Sequence, residues 1–186
     1  IRLSNVDTWG LVFYRGIIPF FTVFLGMLLI YKLNFFKILF TSGYHGLIYI
    51  GTFSLTNITF VVSIQNTNVA NTLVMIATAQ MISAILGAVV LKEPPYKKTW
   101  ISIIITFISI IYIFFDSLRL GNFYGDILGL ITAIGLSVGA ITIRSAKSKN
   151  LVPAAVVGKL FVALFALLFI ESFILNGRDL LIIPLM

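Results

Sequence analysis

Apolar residues run along the chain in long blocks separated by short polar breaks, and these blocks predict helices at residues 10–31, 46–64, 69–91, 99–115, 125–143 and 152–175. A bilayer core of roughly 30 Å takes about 20 helical residues, so each block reads as one membrane crossing. The stretch from Ile38 to Leu91 contains no Asp, Glu, Lys or Arg, and its longest unbroken polar run is Gln65-Asn66-Thr67-Asn68. Two crossings must meet there in a turn over residues 65–68, with Asn68 or Asn71 able to cap the second helix. "EPP" at Glu93–Pro95 ends the third helix, since proline cannot continue it and turns its predecessor away from helical geometry.

Composition agrees with the pattern. The 186 residues are 60% hydrophobic and only 10% charged, against about a quarter charged in a soluble domain. The expected class is all-α, a polytopic helical membrane protein. Thirteen Lys and Arg exceed six Asp and Glu, but the basic residues fall between apolar spans rather than along one face, so they report topology and not nucleic acid. By the positive-inside rule the loops at 32–45, 92–98 and 144–151 are expected to be cytoplasmic, which puts residue 1 outside. A start there without methionine, and a final apolar run "LLIIPLM", read as a piece of a chain with further helices at both ends. With no cysteine there is neither a disulfide nor a thiolate metal site. A single histidine, His45, gives no basis for metal-assisted or hydrolytic catalysis, and "GTFSLTN" lacks the lysine of a phosphate-binding loop. No cofactor or catalytic residue is expected.

Candidate chemistry lies in polar groups at membrane depth. Thr52, Thr56, Thr59 and Ser63 share a face of the second helix, and Ser54 and Asn57 adjoin it; Ser and Thr can bond back to their own backbone, whereas the Asn57 amide needs a partner helix, water or ligand. On the third helix Gln80 and Ser83 are neighbours, and Asn71 and Thr78 share another face. Gln80 is equally readable as a cavity residue or as an interhelical hydrogen bond, and Asn71 reads as a cap. On the fifth helix Gly125, Gly129, Ala133 and Ser137 recur at steps of four, a small-residue seam, with Asp126 at the positive end of the helix dipole. Arg15 and Lys159 lie within spans, near enough to an end to snorkel, with ion pairing or cavity lining the alternatives. Glu171 is a further charge in an apolar run.

Laying residues 10–25, "GLVFYRGIIPFFTVFL", over 154–169, "AAVVGKLFVALFALLF", pairs Arg15 with Lys159 at an offset of five helices. An odd number of helices reverses direction through the membrane, as in the inverted repeats of secondary transporters.

In order along the chain, "FYRGIIPFF", "NTNVANTLVMIATAQMISAILGAVVLKEPPYKKTWISI" and "YGDILGLITAIGLSVGAITIRSA" resemble the second helix, the fourth helix with its acidic hairpin, and the Gly-Asp opening of the sixth helix in the EamA-like members of the drug/metabolite transporter superfamily. The resemblance implies ten helices in a 5+5 inverted repeat. The six spans here would then be helices two to seven, with 1–124 the incomplete first half and 125–186 the start of the second. Many members carry a proline near the middle of the fourth helix, where this chain has Gln80.

Two functions are expected to compete. The first is a secondary transporter of small organic metabolites such as amino acids, an exporter or permease in a bacterial inner membrane that works by alternating access. Its partners would be a small-molecule solute, the lipid bilayer and a coupling proton or ion, and its substrate-binding residues Asn57, Gln80, Ser54, Thr56, Arg15 and Lys159. The second is a non-transporting membrane scaffold or assembly subunit. The sequence leaves substrate, direction and oligomeric state open.

Overall fold

A computed structural model describes residues 7–31, 34–120, 123–147 and 149–170, and these form six helices. They are α1 (Thr8–Tyr31), α2 (Asn34–Asn66), α3 (Val69–Val90), α4 (Lys97–Leu120), α5 (Phe123–Ser145) and α6 (Val152–Leu167). Among the described residues α1, α2, α3 and α5 are long and apolar enough to cross a membrane, and α6 is a shorter apolar helix. Large apolar side chains such as Leu29, Phe40, Leu47 and Tyr112 stand on the outside of the bundle. The chain is an integral, polytopic, all-helical membrane protein, as its composition predicts: backbone polar groups are satisfied within each helix and the lipid-facing surface is apolar.

The bundle is built on α5, which packs against α2 on one side and α3 on the other, while α1 packs on α6 and α6 on α2. Small residues make this closeness attainable. Gly125, Gly129, Ala133 and Ser137 are all buried, and the Ser137 hydroxyl donates to the Ala79 carbonyl of α3 at 2.8 Å. Gly16 of α1 lies on the backbone of α6, where an added Cβ would stand 2.8 Å from Ala163 N. Between lipid-facing helices there is no solvent to expel, so close backbone packing and interhelical hydrogen bonds carry the association. Such bonds join Thr59 to Thr132 (2.7 Å), Ser63 to the Gly125 carbonyl (2.7 Å) and Thr67 to Asp126 (2.6 Å).

Three local expectations are corrected. Most of the loop expected at 32–45 is helical: α2 starts at Asn34, because Phe35 is buried against Met27 and Val156 and gives this segment an apolar anchor. The break falls at Gly43, whose φ of 58° and ψ of −139° depart from helical geometry, and Lys149 Nζ reaches the Ser42 carbonyl at 3.4 Å beside it. Second, the cap of α3 is Asn68, accepting from Ala70 N at 3.2 Å, and Asn71 lies inside the first turn. Third, Gln65 and Asn66 remain in α2, which narrows the turn to Thr67-Asn68. Glu93 follows the end of α3 as expected, and it pairs with Arg144 at the end of α5. Lys32 and Glu171 lie outside the described residues.

The conformation of Gly43 is one that residues with a Cβ occupy only under strain of roughly 1–3 kcal/mol. Gly43→Ala should therefore lower the midpoint of unfolding in an SDS titration of the purified protein, and an unchanged midpoint would show that α2 tolerates straightening.

Candidate functional site

A cavity of about 470 Å³ opens between α2 and α5. Its α2 wall carries Tyr49, Thr52, Phe53, Thr56, Asn57 and Phe60, and its α5 wall Thr132, Gly135, Gly139 and Ala140 among others. The concavity follows from the sequence of both walls. Aromatic residues at Tyr49, Phe53 and Phe60 form one side of the cleft, while glycines at 135 and 139 let α5 approach α2 closely beside it. A Cβ added at Gly139 would meet only Thr52 and the Tyr49 ring, at an ordinary 3.7 Å.

The hydroxyls of the α2 wall are turned back on their own helix. Thr52 bonds the Ile48 carbonyl at 2.9 Å and Thr56 the Thr52 carbonyl at 2.7 Å; Thr59, outside the lining, does the same with the Leu55 carbonyl at 2.9 Å in addition to Thr132. A hydroxyl engaged this way keeps acceptor capacity toward the cavity. Asn57 is the exception on this wall. Its amide nitrogen donates to the Phe53 carbonyl at 2.7 Å, and its carbonyl oxygen accepts from Lys159 Nζ of α6 at 2.6 Å. The partner the asparagine required is thus a cation from another helix.

Lys159 also lies 5.3 Å from the centroid of the Phe53 ring, and the Arg15 guanidinium lies 5.3 Å from that of Phe60. Phe53, Asn57 and Phe60 are spaced i, i+4, i+7 and form one stripe of α2. The two basic residues, contributed by α1 and α6, meet the same stripe that borders the cavity. Pro19 stands one turn after Arg15 inside α1 and, lacking an N–H, leaves the Arg15 carbonyl without its helical donor.

The remaining candidates separate. Ser54 faces α6, bonding the Ile50 and Gly158 carbonyls at 2.7 and 3.0 Å, and does not line the cavity. Gln80 was expected to share a cavity with Asn57. The structure places it instead in a groove between α3 and α4, beside Lys98, Ser102 and Thr106. The reason is rotational: α3 turns Met75, Thr78 and Ala79 toward α5, which sends Gln80 to the far side. Thr56 and Asn57 line the cavity together, whereas Arg15 and Lys159 touch Phe60, Phe53 and Asn57 from α1 and α6 and are not among the lining residues.

Thr132, Gly135, Gly139 and the aromatic rim are site residues that the sequence reading passes over. Their signals are present as Gly135 and Gly139 four apart, and Tyr49 and Phe53 likewise, each pair on one face of an apolar helix.

No curated protein and no solved structure matches the chain. A model of the EamA-like transporter family matches residues 1–115, well over half of the 186-residue chain and the whole of α1 to α3. With a polytopic helical bundle, and a cavity opening from α2 onto α5, this match establishes that the chain belongs to the EamA-like transporter family.

Proposed function

We propose that the protein is a secondary transporter, not an enzyme, and that it moves small organic metabolites, amino acids among them, by alternating access through the cavity between α2 and α5. The observation that carries this reading is the cavity itself: an open cleft of about 470 Å³ with aromatic walls and a single polar amide, the mostly apolar, sparsely polar lining that small-molecule sites favour. Membership of a transporter family gives that cavity a solute and a bilayer to serve.

The proposal extends to an inverted repeat with its boundary between residues 124 and 125. Packing of α1 on α6 supports it, because these are the helices paired by the sequence offset, and their aligned residues Arg15 and Lys159 converge on α2. It extends also to a bacterial inner membrane, to a cytoplasmic side marked by the basic segments at 32–45, 92–98 and 144–151, and to a proton or ion as coupling partner.

Gly139→Leu adds a side chain to the cavity lining, where a Cβ would meet the Thr52 and Tyr49 side chains at ordinary contact distance with no backbone in the way, whereas Gln80→Ala alters a separate groove. Reconstituted in liposomes at equal protein density, Gly139→Leu should abolish counterflow of the transported solute. Gln80→Ala should retain it to within about twofold, a difference of less than 0.5 kcal/mol on the scale where tenfold is 1.4. Full exchange in Gly139→Leu would move the site elsewhere, and no exchange by the folded wild type with a broad solute panel would favour the scaffold reading.

A further inference from the structure

We infer that the solute taken by this cavity is an organic anion with an aromatic or apolar body, held through its carboxylate or phosphate by Lys159 and Arg15; this rests on the transporter reading above. Two observations carry it. The first is convergence. Lys159 Nζ bonds Asn57 at 2.6 Å and stands over Phe53, and Arg15 stands over Phe60; all three of these α2 residues border the cavity. From Phe53 to Phe60 is seven residues, about 10 Å along a helix axis at 1.5 Å per residue. The cations therefore contact two heights of the α2 stripe that borders the cavity, and neither is itself among the lining residues.

The second observation is the lack of compensation. Among the described residues the ion pair that forms is Arg144 with Glu93, both exposed; Arg15 and Lys159 meet no carboxylate there. Their partners are aromatic faces and one neutral amide, which solvate a cation without cancelling its charge. Two like charges at membrane depth that meet no carboxylate among the described residues are costly, and charged groups there mark substrate or ion pathways. An anion entering the cavity would supply the missing charge. Its oxygen atoms would replace Asn57 Oδ1 on Lys159 or bridge toward Arg15, while the rings of Tyr49, Phe53 and Phe60 would receive its apolar part.

The test is equilibrium binding to the complete protein in detergent, using four probes that share a phenyl ring: phenylpyruvate and phenyl phosphate as anions, phenylalanine as zwitterion and phenethylamine as cation. An anion should bind most tightly, the better of the two telling carboxylate from phosphate. Lys159→Gln should raise its Kd about tenfold or more, the loss of one charge-assisted hydrogen bond, and Lys159→Arg should restore much of it. Arg15→Gln supplies the second variant where Lys159→Gln does not fold. Tighter binding of phenethylamine or phenylalanine, no binding of either anion, or an anion Kd unmoved in both folded Gln variants would overturn the inference. Counterflow decides the carrier reading separately, since exchange of a neutral or cationic solute would leave that reading standing and remove only the anion.

Discussion

Asn57→Leu is expected to destabilise the folded bundle by about 2–3 kcal/mol, the value of a hydrogen bond to a charged group that loses its partner. The variant leaves the part-buried Lys159, whose ammonium is held at 2.6 Å by the lost carbonyl, with the face of Phe53 as its remaining protein contact. Adding Lys159→Met should return stability to within ~1 kcal/mol of wild type, because removing both members of a buried polar pair is often neutral whereas removing one is not. SDS-titrated unfolding of wild type, the two single variants and the double variant forms the cycle. Additive losses in the double variant would show that the two side chains are not coupled. The same double variant separates structure from function: it should fold and yet fail to bind an anion.

That pair illustrates what was legible in the sequence and what was not. Asn57 was identifiable as a residue in need of a partner, since no helix backbone satisfies both ends of an amide, and Lys159 as a charge in an apolar span. Their union was not legible, because helical periodicity gives the faces of each helix and leaves open which face meets which neighbour. The position of Gln80 was not legible for the same reason: it lies on the side of α3 that meets α4, opposite the side carrying Thr78 and Ala79. The helices themselves were far easier to read. Lipid demands unbroken apolar runs, so α1, α3 and α5 follow their blocks closely. The first segment of α2 was hidden by Lys37, Thr41, Ser42 and His45, polar residues that a helix at the membrane edge tolerates. The cavity was the least visible element, because it depends on the absence of side chains at Gly135 and Gly139 opposite α2, and small residues in a membrane helix read first as packing.

The seam on α5 supplies the other large effect. Gly125→Val should destabilise the protein by roughly 3 kcal/mol, the upper part of the range for overpacking a core. A Cβ at Gly125 would stand 2.6 Å from Thr67 Cβ and 2.7 Å from both the Asn66 carbonyl carbon and the Thr67 nitrogen, and backbone atoms cannot rotate aside as a flexible side chain would. Relief requires the start of α5 to move away from the turn between α2 and α3. That movement breaks the bond from Ser63 to the Gly125 carbonyl at 2.7 Å and the bond from Thr67 to Asp126 at 2.6 Å. Asp126 is fully buried, and its second carboxylate oxygen has no partner among the described residues, so the Thr67 hydroxyl is the contact it can least lose. Gly26→Val is the matched control: the same substitution in α1, at a position where an added Cβ meets nothing within 4 Å, should change stability by no more than about 0.5 kcal/mol. Equal losses at the two positions in SDS titration would trace the effect to helix propensity, and a loss confined to Gly125 would locate it in the contact that seats α5 on the turn.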